Sequence, residues 1–161
     1  MAEKNYFQLF NQPIRFTVDV TSVERAYKLL MARLHPDRFV NASALEKRLA
    51  EQMSVRINEA RQTLCDDLLR AQYMCRLQGL DPMAHRAMDV DFLIKQMQWR
   101  EALEQADELG KAQLKDQILE QKQSTIAALT QAFDVTHQAQ EALNLTRELL
   151  FIEKLLTQLN Q

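Results

Sequence analysis

The run Ala26-Tyr27-Lys28-Leu29-Leu30-Met31-Ala32-Arg33-Leu34-His35-Pro36-Asp37-Arg38-Phe39 decides how this chain is read. Val23, Ala26, Tyr27, Leu30 and Leu34 recur every three or four residues, the spacing of one apolar helix face. Pro36 stops that helix, because it has no N–H to donate and pushes His35 toward extended backbone. His35, Pro36 and Asp37 are therefore expected at the exposed tip of a helical hairpin. Thr21-Ser22-Val23-Glu24 reads as the capping box that opens the helix, with Thr21 as N-cap and Glu24 reaching back. Arg25 and Lys28 fall on the face opposite the apolar stripe, with Arg33 flanking.

Working outward, Ser43-Ala44-Leu45-Glu46 is a second capping box. It opens a helix with the stripe Leu45, Leu49, Met53, Ile57, Ala60 and Leu64. Two such stripes facing each other make an antiparallel helical hairpin. Upstream, Asn5-Tyr6-Phe7-Gln8 looks like a capped start, and Pro13 ends the short apolar segment that follows. This segment is expected to anchor on the hairpin. Downstream, Asp66 can cap a fourth helix with Leu69, Tyr73 and Leu77 as its stripe. Gly79 suits the position just past its end, and Pro82 follows as a stop.

The chain has 161 residues, 47% hydrophobic and 26% charged, with only two Gly and three Pro. Little of it can therefore be turn, and alternating β-rich runs are almost missing, so the expected fold class is all-α. Residues 1–80 hold 12 Lys/Arg against 9 Asp/Glu, a balance of +3, whereas residues 81–161 hold 8 against 13, a balance of −5. That split suggests different partners for the two halves. Cys65 and Cys75 match no metal or redox spacing and read as reduced thiols, so no metal or cofactor is expected. No apolar run of membrane-spanning length and no signal-peptide pattern occurs, which makes the cytoplasm the expected location.

Residues 80–90 read as a linker. Three helices are expected beyond it, roughly 90–109, 111–133 and 136–160, with Gly110 as a breaker and short connections that favour an antiparallel bundle. The last carries the plainest stripe: Leu145, Leu149, Ile152, Leu156 and Leu159. On the first, a core face runs through Phe92, Trp99, Leu103 and Ala106, and Leu93, Ile94 and Met97 project about 100–200° away from it. Phe151 lies about 110° off the stripe of its own helix. Large apolar residues off the core stripe are either a wide core or an exposed patch that marks a protein partner.

The His35-Pro36-Asp37 tip, the basic helix before it and the Ile57-Asn58-Glu59-Ala60…Leu64…Asp66 run together resemble the J-domain, the module that activates DnaK-type chaperone ATPases. The resemblance covers roughly residues 4–78. The second half resembles the HscB family of co-chaperones in iron–sulfur cluster assembly. That likeness runs through Asp91-Phe92-Leu93-Ile94-Lys95-Gln96-Met97-Gln98-Trp99-Arg100-Glu101 and Arg147-Glu148-Leu149-Leu150-Phe151-Ile152-Glu153-Lys154-Leu155. Tyr6-Phe7-Gln8-Leu9-Phe10 and Leu69-Arg70-Ala71-Gln72-Tyr73 fit the same family.

The resemblance implies a J-domain at 1–79, a linker at 80–90 and a client-binding three-helix domain at 91–161. It implies two partners, the DnaK-type chaperone HscA and the scaffold protein IscU. Chaperone contacts would fall on His35, Pro36, Asp37, Arg25, Lys28, Arg33 and Arg38. Client contacts would fall on Leu93, Ile94, Met97 and Phe151, with Gln98, Glu101 and Gln105 around them. The sequence departs from the family at Gln98 and Gln105, where relatives often carry acids, and at Leu34, where an aromatic commonly precedes the tip. Lacking an N-terminal cysteine module or transit-peptide pattern, it is similar to the bacterial form.

Two other readings stand beside this one. A J-protein could serve a different client. A helical nucleic-acid-binding module would use the basic face, but overall negative charge and few basic clusters in residues 81–161 oppose it. An enzyme is not expected: no phosphate-cradling glycine loop or catalytic triad pattern occurs, and His35 with Asp37 implies no pocket. His85 and His137 read as surface groups.

Overall fold

Phe7, Phe10 and Phe16 are fully buried beside Val23, Ala50, Ile57, Ala60 and Leu64, and the first part of the molecule is built around them. The computed structural model describes residues 3–84 and 88–161. His85 and part of the expected linker lie outside the described residues. In chain order the helices are α1 (Tyr6–Leu9), α2 (Val20–Arg33), α3 (Ala44–Leu64), α4 (Asp67–Leu77), α5 (Val90–Gln105), α6 (Glu108–Thr130) and α7 (Ala139–Leu159). A 3-10 turn spans Pro36–Phe39 and a π turn spans Gln131–Val135. Among the described residues there is no strand, and no helix is long and apolar enough to cross a membrane. Two compact units divide the chain, Met1–Arg70 and Ala71–Gln161.

In the first unit the capping residues act largely as the sequence suggests. Asn5 and Gln8 exchange hydrogen bonds of 2.9 Å in both directions at the start of α1. At the expected second box, the Ser43 hydroxyl accepts the Glu46 N–H at 3.1 Å, which is the N-cap half of the box. The expected box at Thr21 does not form. Asp19 caps α2 instead, accepting from the Ser22 N–H at 3.2 Å and the Ser22 hydroxyl at 2.8 Å. A carboxylate two residues earlier takes the Ser22 N–H, and Glu24 is left free to bond Arg61 on α3 at 2.8 Å. That hydrogen bond holds the Glu24 carboxyl below its ordinary range. The same guanidinium lies 4.6 Å from the Tyr27 ring centre, and the Tyr27 hydroxyl donates to Asn58 at 2.6 Å. These polar pairs lock α2 against α3 beside the apolar core.

The α3 stripe is buried only in part. Ala50, Ile57, Ala60 and Leu64 are in the core, but Leu45, Leu49 and Met53 are exposed, against expectation. A stripe drawn at every fourth residue drifts, since each step turns about 40° past a full turn: Leu49 and Leu45 swing about 80° and 120° from Ile57, whereas Ala50 stays within about 20° of it. Four-residue α1 meets α3 at the level of Arg56 and Glu59, through Arg56 to the Lys4 carbonyl at 2.6 Å and the Tyr6 hydroxyl to Glu59 at 3.5 Å.

Asp66 caps α4, accepting the Leu69 N–H at 2.8 Å. At the other end Gly79 takes a positive φ of 78°, and the Gly79 and Leu80 N–H groups donate to Arg76 and Cys75 carbonyls at 3.0 Å each, a Schellman closure. The expected stripe between is wrong: Leu69 and Leu77 are exposed, and Arg70, Ala71, Met74 and Cys75 are buried. The first turn of α4 serves the first unit and the rest serves the second, so one stripe does not describe it. Arg70 is held by three hydrogen bonds, to the Phe16 carbonyl at 2.6 Å, the Leu64 carbonyl at 2.8 Å and the Asp67 carboxylate at 2.7 Å. A buried guanidinium with its donors satisfied in this way is tolerated and orders the groups around it.

In the second unit Phe92 and Trp99 of α5, Leu114 and Ile118 of α6, and Ile152, Leu155 and Leu156 of α7 form one core. The α5–α6 break falls at Ala106, which is extended (φ −77°, ψ 135°), and not at Gly110. Asp107 caps α6 by accepting the Gly110 N–H at 2.8 Å, so Gly110 sits inside the first helical turn. Between α6 and α7 the chain turns at His137, whose φ is 52°, and the Gln138 N–H returns to the Ala132 carbonyl at 3.0 Å. Lys122 and Glu153 pair at 2.7 Å between these two helices.

Candidate functional site

In the first unit the tip is built by backbone constraints. His35 (φ −57°, ψ 135°) stands just before the 3-10 turn, Pro36 opens it, and the Arg38 N–H closes it on the His35 carbonyl at 2.9 Å. The His35 ring folds back so that Nδ1 accepts the Asp37 N–H at 3.2 Å. That use of the lone pair leaves no proton on Nδ1 for the Asp37 carboxylate 3.6 Å away, so in this form the two are neighbours and not an ion pair. The His35 and Asp37 side chains are 61% and 88% exposed, which leaves both free to meet another molecule.

Arg25, Lys28, Arg33 and Arg38 are exposed, and none makes an ion pair among the described residues. Leu29, missed in the sequence, is exposed among them, one turn from both Arg25 and Arg33. Below the tip, Met31, Leu34, Phe39, Val40, Ala50 and Val55 line an apolar groove of about 830 Å³ that reaches His35 and Pro36. Leu34, the last residue of the apolar stripe before the tip, sits in this groove wall.

The second surface lies on α5. Leu93, Ile94 and Met97 are 41%, 49% and 70% exposed, and Gln98, Glu101 and Gln105 are exposed with them. Phe92 and Trp99 turn the other way into the core. The helix thus separates its apolar residues into a buried and an open set, as the projection angles indicate. Phe151 departs from the expectation of an exposed patch residue. It is half-buried, stacked on Trp99 (6.4 Å between centroids, 7° between planes) and set edge-on to Phe92 at 5.9 Å. The Arg100 guanidinium lies 5.3 Å from its ring centre. Its angle from the α7 stripe points it toward α5, whose aromatics fill that side.

Other reactive groups are quiet. Burial pushes both the Cys65 and Cys75 thiols up, away from the thiolate form, and both are free of disulfides. Burial also raises the Glu148 carboxyl, with the Asp89 charge adding to it and Lys95 opposing. Among the described residues no three His, Cys, Asp or Glu side chains gather in a way that could hold a metal ion.

Comparison with known proteins agrees with this geometry. A family model described as the HSCB C-terminal oligomerisation domain matches residues 88–160. A co-chaperone protein HscB homolog of Bordetella avium is 40% identical over 163 residues, covering 99% of this chain and 97% of that protein. The homolog from Aromatoleum aromaticum is 38% identical over 95% of this chain and 90% of its own. Among solved structures, HscB from Vibrio cholerae matches with a TM-score of 0.83 and 33% identity, over 98% of this chain and 96% of its own. Human HscB matches with a TM-score of 0.91 and 25% identity, over 98% and 81%. The all-helical fold and the exposed tip define a co-chaperone of the J-domain class. Within that class, the chain belongs to the HscB family.

Proposed function

We propose that this chain stimulates ATP hydrolysis by the DnaK-type chaperone HscA in the cytoplasm and brings it the iron–sulfur scaffold protein IscU. The observation that carries the reading is the pairing of an exposed His35-Pro36-Asp37 tip on one compact unit with an exposed apolar face on the other. Arg25, Lys28, Arg33 and Arg38 would attract an acidic surface of the chaperone, speeding encounter and making it weaken with salt. The tip would then be read by contact: Pro36 fixes the backbone, and His35 and Asp37 present polar atoms ahead of it. ATP hydrolysis belongs to the chaperone, since the chain carries no glycine-rich phosphate loop of its own.

Leu93, Ile94 and Met97 would bind the client by burying apolar surface, with Gln98, Glu101 and Gln105 forming a polar rim. Phe151 would contribute its exposed edge and hold α5 in place from beneath. Steady-state ATPase of HscA, with and without this chain and IscU, tests the reading. Stimulation by the chain alone, raised further by IscU, is expected. Pull-down of neither partner, with no stimulation, would overturn it. A second reading, self-association, comes from the oligomerisation named in the matching family model and would use the same apolar residues. Sedimentation over a range of concentrations separates the two.

A further inference from the structure

Beside Phe151 the second unit carries a basic groove, although residues 81–161 hold an excess of acids. Two adjoining hollows of about 270 and 450 Å³ share Arg100, Phe151 and Lys154 in their walls. Arg147 lines the first and Leu103 and Leu155 the second. None of the three cations makes an ion pair among the described residues. The nearby acid Glu153 is turned away to Lys122, and Glu104 is the one carboxylate in the walls of the two hollows. On α5 the polar neighbours Gln98 and Gln105 are neutral and Glu101 is acidic, and Arg147 also lines a small cleft with Asp89 and Glu148. Three cations without an ion pair line walls that share Phe151, and a negative charge from outside would find them unneutralised.

We propose that this groove takes an acidic segment of the client, one in which carboxylates flank an apolar side chain that rests on Phe151. The inference depends on the client reading above and gives the client's chemistry: apolar against Leu93 and Met97, anionic against Arg100, Arg147 and Lys154. A carboxylate is favoured over a nucleic acid backbone, because the groove holds only three cations in a unit that is otherwise acidic. Arg100 already rests on Phe151, so its charge is offered with little freedom left to lose.

The test is calorimetric titration of IscU into the wild type, Arg147→Glu/Lys154→Glu, Arg147→Gln/Lys154→Gln and Leu93→Ala/Met97→Ala, at low and high salt. The charge reversal is expected to weaken binding about tenfold or more at low salt, the neutral pair less, and both losses should shrink as salt rises. The apolar pair should lose affinity at every salt concentration. Full affinity in both charge variants, with loss in the apolar pair, would overturn the acidic-segment proposal and leave the client site standing. No binding to the wild type would overturn both. A duplex DNA that competes with IscU, or self-association abolished by the charge reversal without change in IscU affinity, would assign the groove elsewhere and overturn the proposal. Should the reversed variant melt early by circular dichroism, the neutral pair alone decides: unchanged affinity there counts against the proposal.

Discussion

Leu45, Leu49 and Met53 on α3 and Leu93, Ile94 and Met97 on α5 are two exposed apolar rows of similar make-up on different units. The α3 row, taken at every fourth residue, drifts off the face that Ala50, Ile57 and Leu64 bury. The α5 row breaks the period of Phe92 and Trp99. Periodicity left the second open between a wide core and an exposed patch, and it put the first on the core face. Periodicity reports which face of a helix is apolar, and it says nothing about how wide a strip the neighbouring elements cover. On α3 the four-residue step carries the row past the covered strip; on α5 the core contact is narrow, so out-of-period residues are exposed.

The sharpest way to break this comparison is to truncate residues at both ends of α3. Leu64→Ala, fully buried, is expected to cost about 2–5 kcal/mol, and Leu45→Ala or Leu49→Ala to stay within about 0.5 kcal/mol. Chemical denaturation of each variant measures it. Similar costs at both ends would show that Leu45 and Leu49 are covered after all.

A comparable loss is expected at the buried guanidinium of α4. Arg70→Ala strips partners from the Phe16 and Leu64 carbonyls and should cost roughly 3 kcal/mol, by the same assay. A near-neutral result would mean that water replaces the side chain.

On the second unit the expected order is Phe151 above Met97. Phe151→Ala removes a ring packed on Phe92 and Trp99 and should cost roughly 2 kcal/mol, whereas Met97→Ala should fall within about 0.5 kcal/mol. A loss of client binding in Phe151→Ala must therefore be read with its melting curve, while a loss in Met97→Ala reports the surface directly.

The smallest effect concerns Glu148. Burial raises its carboxyl in the folded state, so the folded form binds the proton more readily than the unfolded one. Ionisation then costs stability as pH rises through the ordinary carboxylate range toward the raised value. Glu148→Gln should melt slightly above the wild type near neutral pH, and the gap should close in acid. A constant gap at all pH values would point to packing and not charge.

Much of the frame was legible in the sequence because short-range chemistry sets it. Asn5 with Gln8, Ser43, Asp66 and Gly79 each act within a few residues of themselves, and each does what its type suggests. Where two local signals competed, sequence alone could not choose: Asp19 displaced Thr21, and Asp107 drew Gly110 into α6. The exposed tip and the open α5 residues were legible for the same local reasons. Arg70 was not, because its partners Phe16 and Leu64 come from other segments. Nor was the apolar groove under the tip, whose residues come from the end of α2, the turn after it and α3, and meet only once the chain is folded.

The account rests on two surfaces that act separately, and one crossed experiment tests that directly. His35→Gln and Leu93→Ala/Met97→Ala are each assayed for stimulation of HscA without client and for IscU affinity by titration. His35→Gln should lose stimulation and keep IscU affinity; the apolar pair should keep stimulation and lose affinity at least tenfold, the scale set by burying two such side chains. Loss of both properties in either variant, with its fold intact, would contradict the separation and with it the account.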